Sequence, residues 1–138
     1  GSQVTVDLMR AMLKIVGIDS YLTAIYSGDR TYVRPEWPSP SQFNHMIIGV
    51  KVQGDTAAPA VVENAALGRL LFFDPTDDAI PLGYLPAHEQ DSWALVIAGE
   101  AGDLVRMPAT APEANRVERE AEITVSAEGV ITAYVLPT

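Results

Sequence analysis

Few side chains in this sequence could carry chemistry, because it contains no cysteine and only two histidines among its 138 residues. His45 follows a turn-rich run, Pro38-Ser39-Pro40-Ser41-Gln42-Phe43-Asn44, and opens the apolar segment Met46-Ile47-Ile48-Gly49-Val50. Asp74 ends a second apolar segment, Leu71-Phe72-Phe73, and is followed by Pro75-Thr76. Neighbouring strands that deliver an imidazole and a carboxylate to one sheet edge would supply the base of a nucleophilic triad and its orienting partner. The acid fixes the ring's tautomer while the other nitrogen takes a proton. Plainer readings stand beside this one. A single histidine at the mouth of a strand is commonly a satisfied structural residue, and an aspartate before proline is ordinary turn chemistry. His88, in the polar run Ala87-His88-Glu89-Gln90-Asp91, reads as solvated surface. His45 and His88 with Asp77 or Asp78 are suitable metal donors by type, yet no ligand spacing joins them. Asp74, Asp77 and Asp78 lack the ligand alternation and glycine of a calcium loop.

Several elements must position these residues. Between Thr5 and Val16, Val6, Met9, Leu13 and Val16 form a helical stripe that Leu8, Met12 and Ile15 widen, so the helix is expected to be covered on several sides. Met9 and Met12 fill the core in this reading. Thr5 is the expected N-cap, and Gly17-Ile18 predicts a left-handed stop with an apolar contact. Ser20 to Tyr26 predicts a strand ending at Ser27-Gly28-Asp29. Arg30 to Ser41 is a proline-rich loop carrying Trp37. Phe43 to Val52 is apolar on both faces and predicts a central strand, with His45, Ile47 and Gly49 on one side and Met46, Ile48 and Val50 on the other. Gly54 to Ala66 reads as a flexible loop. Leu67 to Asp74 predicts a strand antiparallel to the previous one. Hairpins are expected at 93–107, around Gly99-Glu100-Ala101-Gly102, and at 117–136, around Ala127-Glu128-Gly129, the latter with one wet face.

Composition narrows the function classes. Apolar residues at 48% and charged residues at 20% suit one globular domain with a real core. Nine basic against eighteen acidic side chains give a net charge of -9, and the basic residues are scattered, so a nucleic-acid partner is not expected. The absence of cysteine excludes disulfides and a thiol nucleophile within these residues. No apolar run is long enough to insert in a membrane. Gly1-Ser2 reads as a vector remnant.

The order helix, Gly17-Ile18-Asp19, strand, Phe43-Asn44-His45, strand, Phe73-Asp74-Pro75-Thr76, then Leu82-Gly83-Tyr84-Leu85-Pro86 resembles the C-terminal half of a bacterial transglutaminase-like domain, a superfamily related in fold to papain-like cysteine proteases. The likeness implies an α+β fold, with one buried N-terminal helix packed on an antiparallel sheet and a C-terminal hairpin. It implies a core over 3–108, cut short at its N-terminus, with 109–138 a connector and the β-hairpin that begins a following β-rich region. It also implies a Cys-His-Asp triad in which His45 is the catalytic base and Asp74 orients it, with Asn44 and Trp37 shaping the substrate cleft. A protein or peptide substrate, no cofactor, no metal and a bacterial periplasmic or envelope setting follow from the same likeness.

One departure stands out. The family's cysteine, at the start of the helix, would fall at or just before Ser2, so either it precedes this sequence or Ser2 stands in its place. A serine there is a poor substitute, since its hydroxyl is far less acidic than a thiol. The chain is therefore expected to be inactive, although its parent would be a cysteine-dependent acyl transferase or amide hydrolase. The alternative is a degenerate, non-catalytic domain serving protein binding or envelope assembly. A third reading is a β-rich binding module for carbohydrate or protein. Strands left unpaired at the boundary would favour self-association.

Overall fold

A strand apolar on both faces needs cover on both, and the middle strand of this protein has it. The computed structural model describes residues 2–37, 39–114 and 116–137. Helix α1 (Ser2–Ile15) precedes β1 (Ser20–Ile25), β2 (His45–Lys51), β3 (Val61–Asn64), β4 (Gly68–Phe73), β5 (Trp93–Ile97) and β6 (Asp103–Arg106). The six strands form one antiparallel sheet in the order β3-β4-β2-β1-β5-β6. The sheet curls until it is nearly closed. Asn64 Nδ2, on one edge strand, donates to Asp103 Oδ2 on the other at 3.2 Å. The fold is thus α+β, with one α-helix among the described residues.

The curl separates two apolar clusters. Inside it, Ile25 and Ile47 meet Leu70, Phe72, Val96 and Val105, all buried. On the outer face Ile48 and Val50, flanked by Met46, Leu22 and Phe73, receive Val6, Met9 and Leu13 of α1. Alternation along β2 therefore serves both clusters, Ile47 facing inward and Ile48 outward, as its two-sided apolar pattern predicts. Gly49 is required by the inner packing: a Cβ there would stand 2.9 Å from Phe72 Cε1 and 3.3 Å from Cδ1.

The helix corrects two expectations. It starts at Ser2, so Thr5 lies within it and does not cap it. It is also not buried on several sides. Val6 is inaccessible, whereas Val4, Leu8 and Ile15 are 69%, 62% and 84% exposed. Only the stripe Val6-Met9-Leu13 faces the sheet, and nothing among the described residues covers the far side, where Leu8, Met12 and Ile15 project. The C-terminal stop forms as the sequence predicts. Gly17 has φ 81°, Gly17 N–H donates to Lys14 O at 3.0 Å, and Ile18 N–H donates to Leu13 O at 2.9 Å.

Two further segments differ from expectation. The loop expected over 54–66 contains β3, which pairs with β4, and Ala60 beside it is buried. This strand is too short and too polar at Glu63-Asn64 to show a period of two. The last hairpin, β7 (Ala121–Val125) with β8 (Ile131–Val135), is shorter than 117–136 and is exposed on both faces, so its expected dry face is absent. No described helix is long and apolar enough to cross a membrane.

The inner packing is testable at Gly49. Because Phe72 is fully buried and cannot swing aside, Gly49→Ala should lower the free energy of unfolding by about 1–3 kcal/mol in urea denaturation, the usual cost of overpacking. A change within about 0.5 kcal/mol, the range of a neutral surface substitution, would contradict the packing described.

Candidate functional site

The register of β2 on β4 brings His45 to Asp74. Ile48 pairs with Phe73, so the antiparallel path carries Asp74 opposite Ile47 and leaves His45 as its diagonal neighbour on the same face. Side chains at that spacing are within reach when one is long. His45 shares the inner-face parity of Ile47, and Asp74 that of Phe72, so the pair caps one end of the inner cluster. The approach to His45 is fixed by polar contacts. Ser39 caps the short turn Pro40–Gln42, and Asn44 clamps β2 to the end of β1, accepting from Ser27 N–H at 2.7 Å and donating to Ser27 O at 3.2 Å.

His45 Nε2–H donates to Asp74 Oδ2 at 2.7 Å. Asp74 divides its two oxygens, because Oδ1 accepts from Thr76 N–H at 2.8 Å and from Thr76 Oγ1 at 2.6 Å. The sequence Asp-Pro-Thr thus has a physical purpose beyond making a turn. Pro75 directs the chain, and Thr76 holds the carboxylate so that its free oxygen faces the ring. Burial would push the Asp74 carboxyl up. The hydrogen bonds from the Thr76 hydroxyl, His45, the Glu89 carboxyl and the Thr76 amide outweigh it and hold the group below its ordinary value. With Nε2 committed to Asp74, Nδ1 is the nitrogen left for a substrate or nucleophile, and it has no protein partner among the described residues.

Glu89 is the member that sequence reasoning misses. It lies in a polar run that reads as solvated surface, yet it is wholly buried. Its Oε1 is 3.5 Å from His45 Nε2 and 3.9 Å from His88 Nε2. Neither carboxyl oxygen makes a hydrogen bond of good geometry. Burial first, then contact with the Asp74 carboxyl and the negative field of Asp74 and Asp77, push Glu89 up to about 9. The only sequence signal available was its place just beyond Leu82-Gly83-Tyr84-Leu85-Pro86.

His45, Asp74 and Glu89 offer donors within 4.8 Å of one another, a set that could in principle hold a divalent ion. The spacing argues otherwise. Two ligands each about 2.0–2.1 Å from a tetrahedral ion stand about 3.3 Å apart, whereas His45 and Asp74 are at hydrogen-bond contact. At this distance His45 and Asp74 share a hydrogen bond and leave no room for an ion between them.

The two residues expected to shape a cleft do not line this cluster. Asn44 spends its side chain on Ser27. Trp37, 66% exposed, walls two grooves of about 270 and 550 Å³ beside Ser39 and Gln42, and neither is lined by His45, Asp74 or Glu89. His88 is exposed, as its polar setting predicts. Pro38, in the run leading to His45, lies outside the described residues.

The opposed shifts of the two acids set the pH dependence of stability. Asp74, depressed, contributes stability above its ordinary value of 3.8 that is lost as pH falls through its folded value. Glu89, raised, binds more protons folded than unfolded between about 4.5 and about 9, so stability falls as pH rises across that window. The slope from one such group is at most about 1.4 kcal/mol per pH unit. Urea unfolding from pH 5 to 9 should show this decline, and Glu89→Gln should flatten it. An equal decline in the variant would contradict the assignment to Glu89.

No family model, characterised protein or solved structure matches this chain, so its chemistry has to be read from the site itself.

Proposed function

We propose that His45 and Asp74 are the base and the orienting acid of an acyl-transfer centre of the transglutaminase-like, papain-related kind, in which a thiol is supplied at the start of α1. The observation that carries this reading is the 2.7 Å hydrogen bond between His45 Nε2 and Asp74 Oδ2. Asp74 is locked by Thr76, and Nδ1 has no protein partner among the described residues. α1 turns back through Gly17-Asp19 into β1, with Arg10 reaching Ser20 O at 3.3 Å; it packs on the outer face of the sheet, opposite the inner face that carries His45, so a thiol at its start has to meet Nδ1 around the end of β2. The nearly closed sheet with its external helix fits the same fold class. Residues 3–108 form the core of such a domain in this reading, and 109–138 are a connector and appended hairpin.

The step is nucleophilic substitution at an amide of a protein or peptide. Nδ1 takes the thiol proton, and the positive end of the helix dipole favours the thiolate. Sulfur attacks the carbonyl carbon, the C–N bond breaks, and the imidazolium returns its proton to the departing amine. Asp74 holds the ring throughout and stabilises its charged form. The acyl group then passes to water or to another amine. These residues include no cysteine, so the chain by itself performs no such step.

A cysteine placed at the helix start, Ser2→Cys, tests the reading. Its alkylation by iodoacetamide at pH 6 should be at least about tenfold faster than that of a free thiol, because imidazole and dipole together increase the thiolate fraction. Adding His45→Ala should return the rate to that of a free thiol, and Asp74→Asn should slow it. A rate indifferent to His45 would reject the base role and favour a non-catalytic domain used in protein binding or assembly.

A further inference from the structure

We propose that Glu89 is a positioning residue of this site: a neutral carboxylic acid that donates its proton to Asp74 and so fixes that carboxylate against His45. The meaning of this role rests on the base-and-orienter reading above, but the proton and the hydrogen bond it supports can be measured without any nucleophile.

Three observations converge. Glu89 is fully inaccessible, and both its oxygens lack a hydrogen-bond partner of good geometry. A buried carboxylate in that condition is strongly unfavourable. No arginine or lysine compensates it among the described residues. The groups facing it are Asp74 and Asp77 from the segment after β4, His45 from β2, and His88 from its own loop. The nearest nitrogen, His45 Nε2 at 3.5 Å, already gives its proton to Asp74, and His88 is exposed. Two adjoining carboxylates in such a place cannot both stay charged, and the one without a donor of its own takes the proton. Protonated, Glu89 becomes a donor beside Asp74.

The loop that carries Glu89 is built to keep it inside. His88 O accepts from Gly28 N–H at 3.0 Å, and Glu89 N–H donates to Pro86 O at 3.0 Å. Gln90 bridges Leu85 O and Thr110 N–H, each at 2.8 Å. Asp91 has φ 58° and is the one described non-glycine residue in the left-handed region. Arg106 Nε holds it at 2.7 Å and Arg30 approaches at 3.8 Å. A surface loop with a solvated glutamate needs none of this. An unfavourable conformation maintained by its surroundings is where function is sought. The raised proton affinity described above agrees with this placement.

Two measurements on the whole chain decide the matter. In infrared difference spectra of carbon-13 glutamate-labelled protein at pH 7, a protonated-carboxyl band should be present, be absent from Glu89→Gln, and disappear as pH passes about 9. In nitrogen-15 NMR, the hydrogen-bonded His45 Nε2–H signal should persist in Glu89→Gln, whose amide can still donate to Asp74. It should be lost in Glu89→Ala. A carboxylate band alone at pH 7 would overturn the proposal. So would an unchanged His45 signal in Glu89→Ala, or stoichiometric zinc binding by the chain that Glu89→Gln abolishes. If Glu89→Ala does not fold, the infrared band and the Glu89→Gln spectra decide by themselves. Failure of the base role is seen separately, in the thiol reactivity of Ser2→Cys.

Discussion

A carboxylate taken out of water must be given donors, and the arrangement of this site follows from how Asp74 obtains them. One oxygen receives two from Thr76, the other receives the ring N–H of His45, and Glu89 stands beside the group with a proton to share. Each donor comes from a different stretch of chain. The strand register between β2 and β4, the turn at Pro75 and the clamped loop around Glu89 must all be right together. That demand couples the end of the sheet to the rest of the fold, since a slip of one residue in β2 would turn His45 to the helix side.

The apolar residues perform a different task with a different economy. The inner cluster is filled from every strand except the last hairpin, and it leaves no room for a side chain at residue 49. The outer face is covered by a single helical stripe, and the remaining apolar positions of α1 face outward. The sheet therefore has one dry, tightly packed side, which supports the site, and one side covered only along Val6, Met9 and Leu13.

The sequence made legible what depends on local pattern. Alternation in Met46-Ile47-Ile48-Gly49-Val50 identified a strand covered on both faces, and Gly17-Ile18 marked the helix end that the structure shows. His45 and Asp74 could be singled out because each sits where an apolar run meets turn residues. Glu89 could not, since burial of a glutamate in a polar run depends on contacts with Asp74 and His45, remote in sequence. The same limit explains α1. Its residues are apolar around most of the circumference, and only tertiary structure decides which of them meet the sheet. β3 was hidden for another reason: four residues ending in Glu63-Asn64 take their strand form from pairing with β4, not from their own pattern.

Neutron diffraction from deuterium-exchanged crystals near pH 7 bears most directly on the central claim, because it locates the shared protons. The account predicts a deuteron on His45 Nε2 directed at Asp74 Oδ2, and a second on the Glu89 carboxyl. A bare Nε2 turned away from Asp74, with Asp74 and Glu89 both unprotonated, would contradict it.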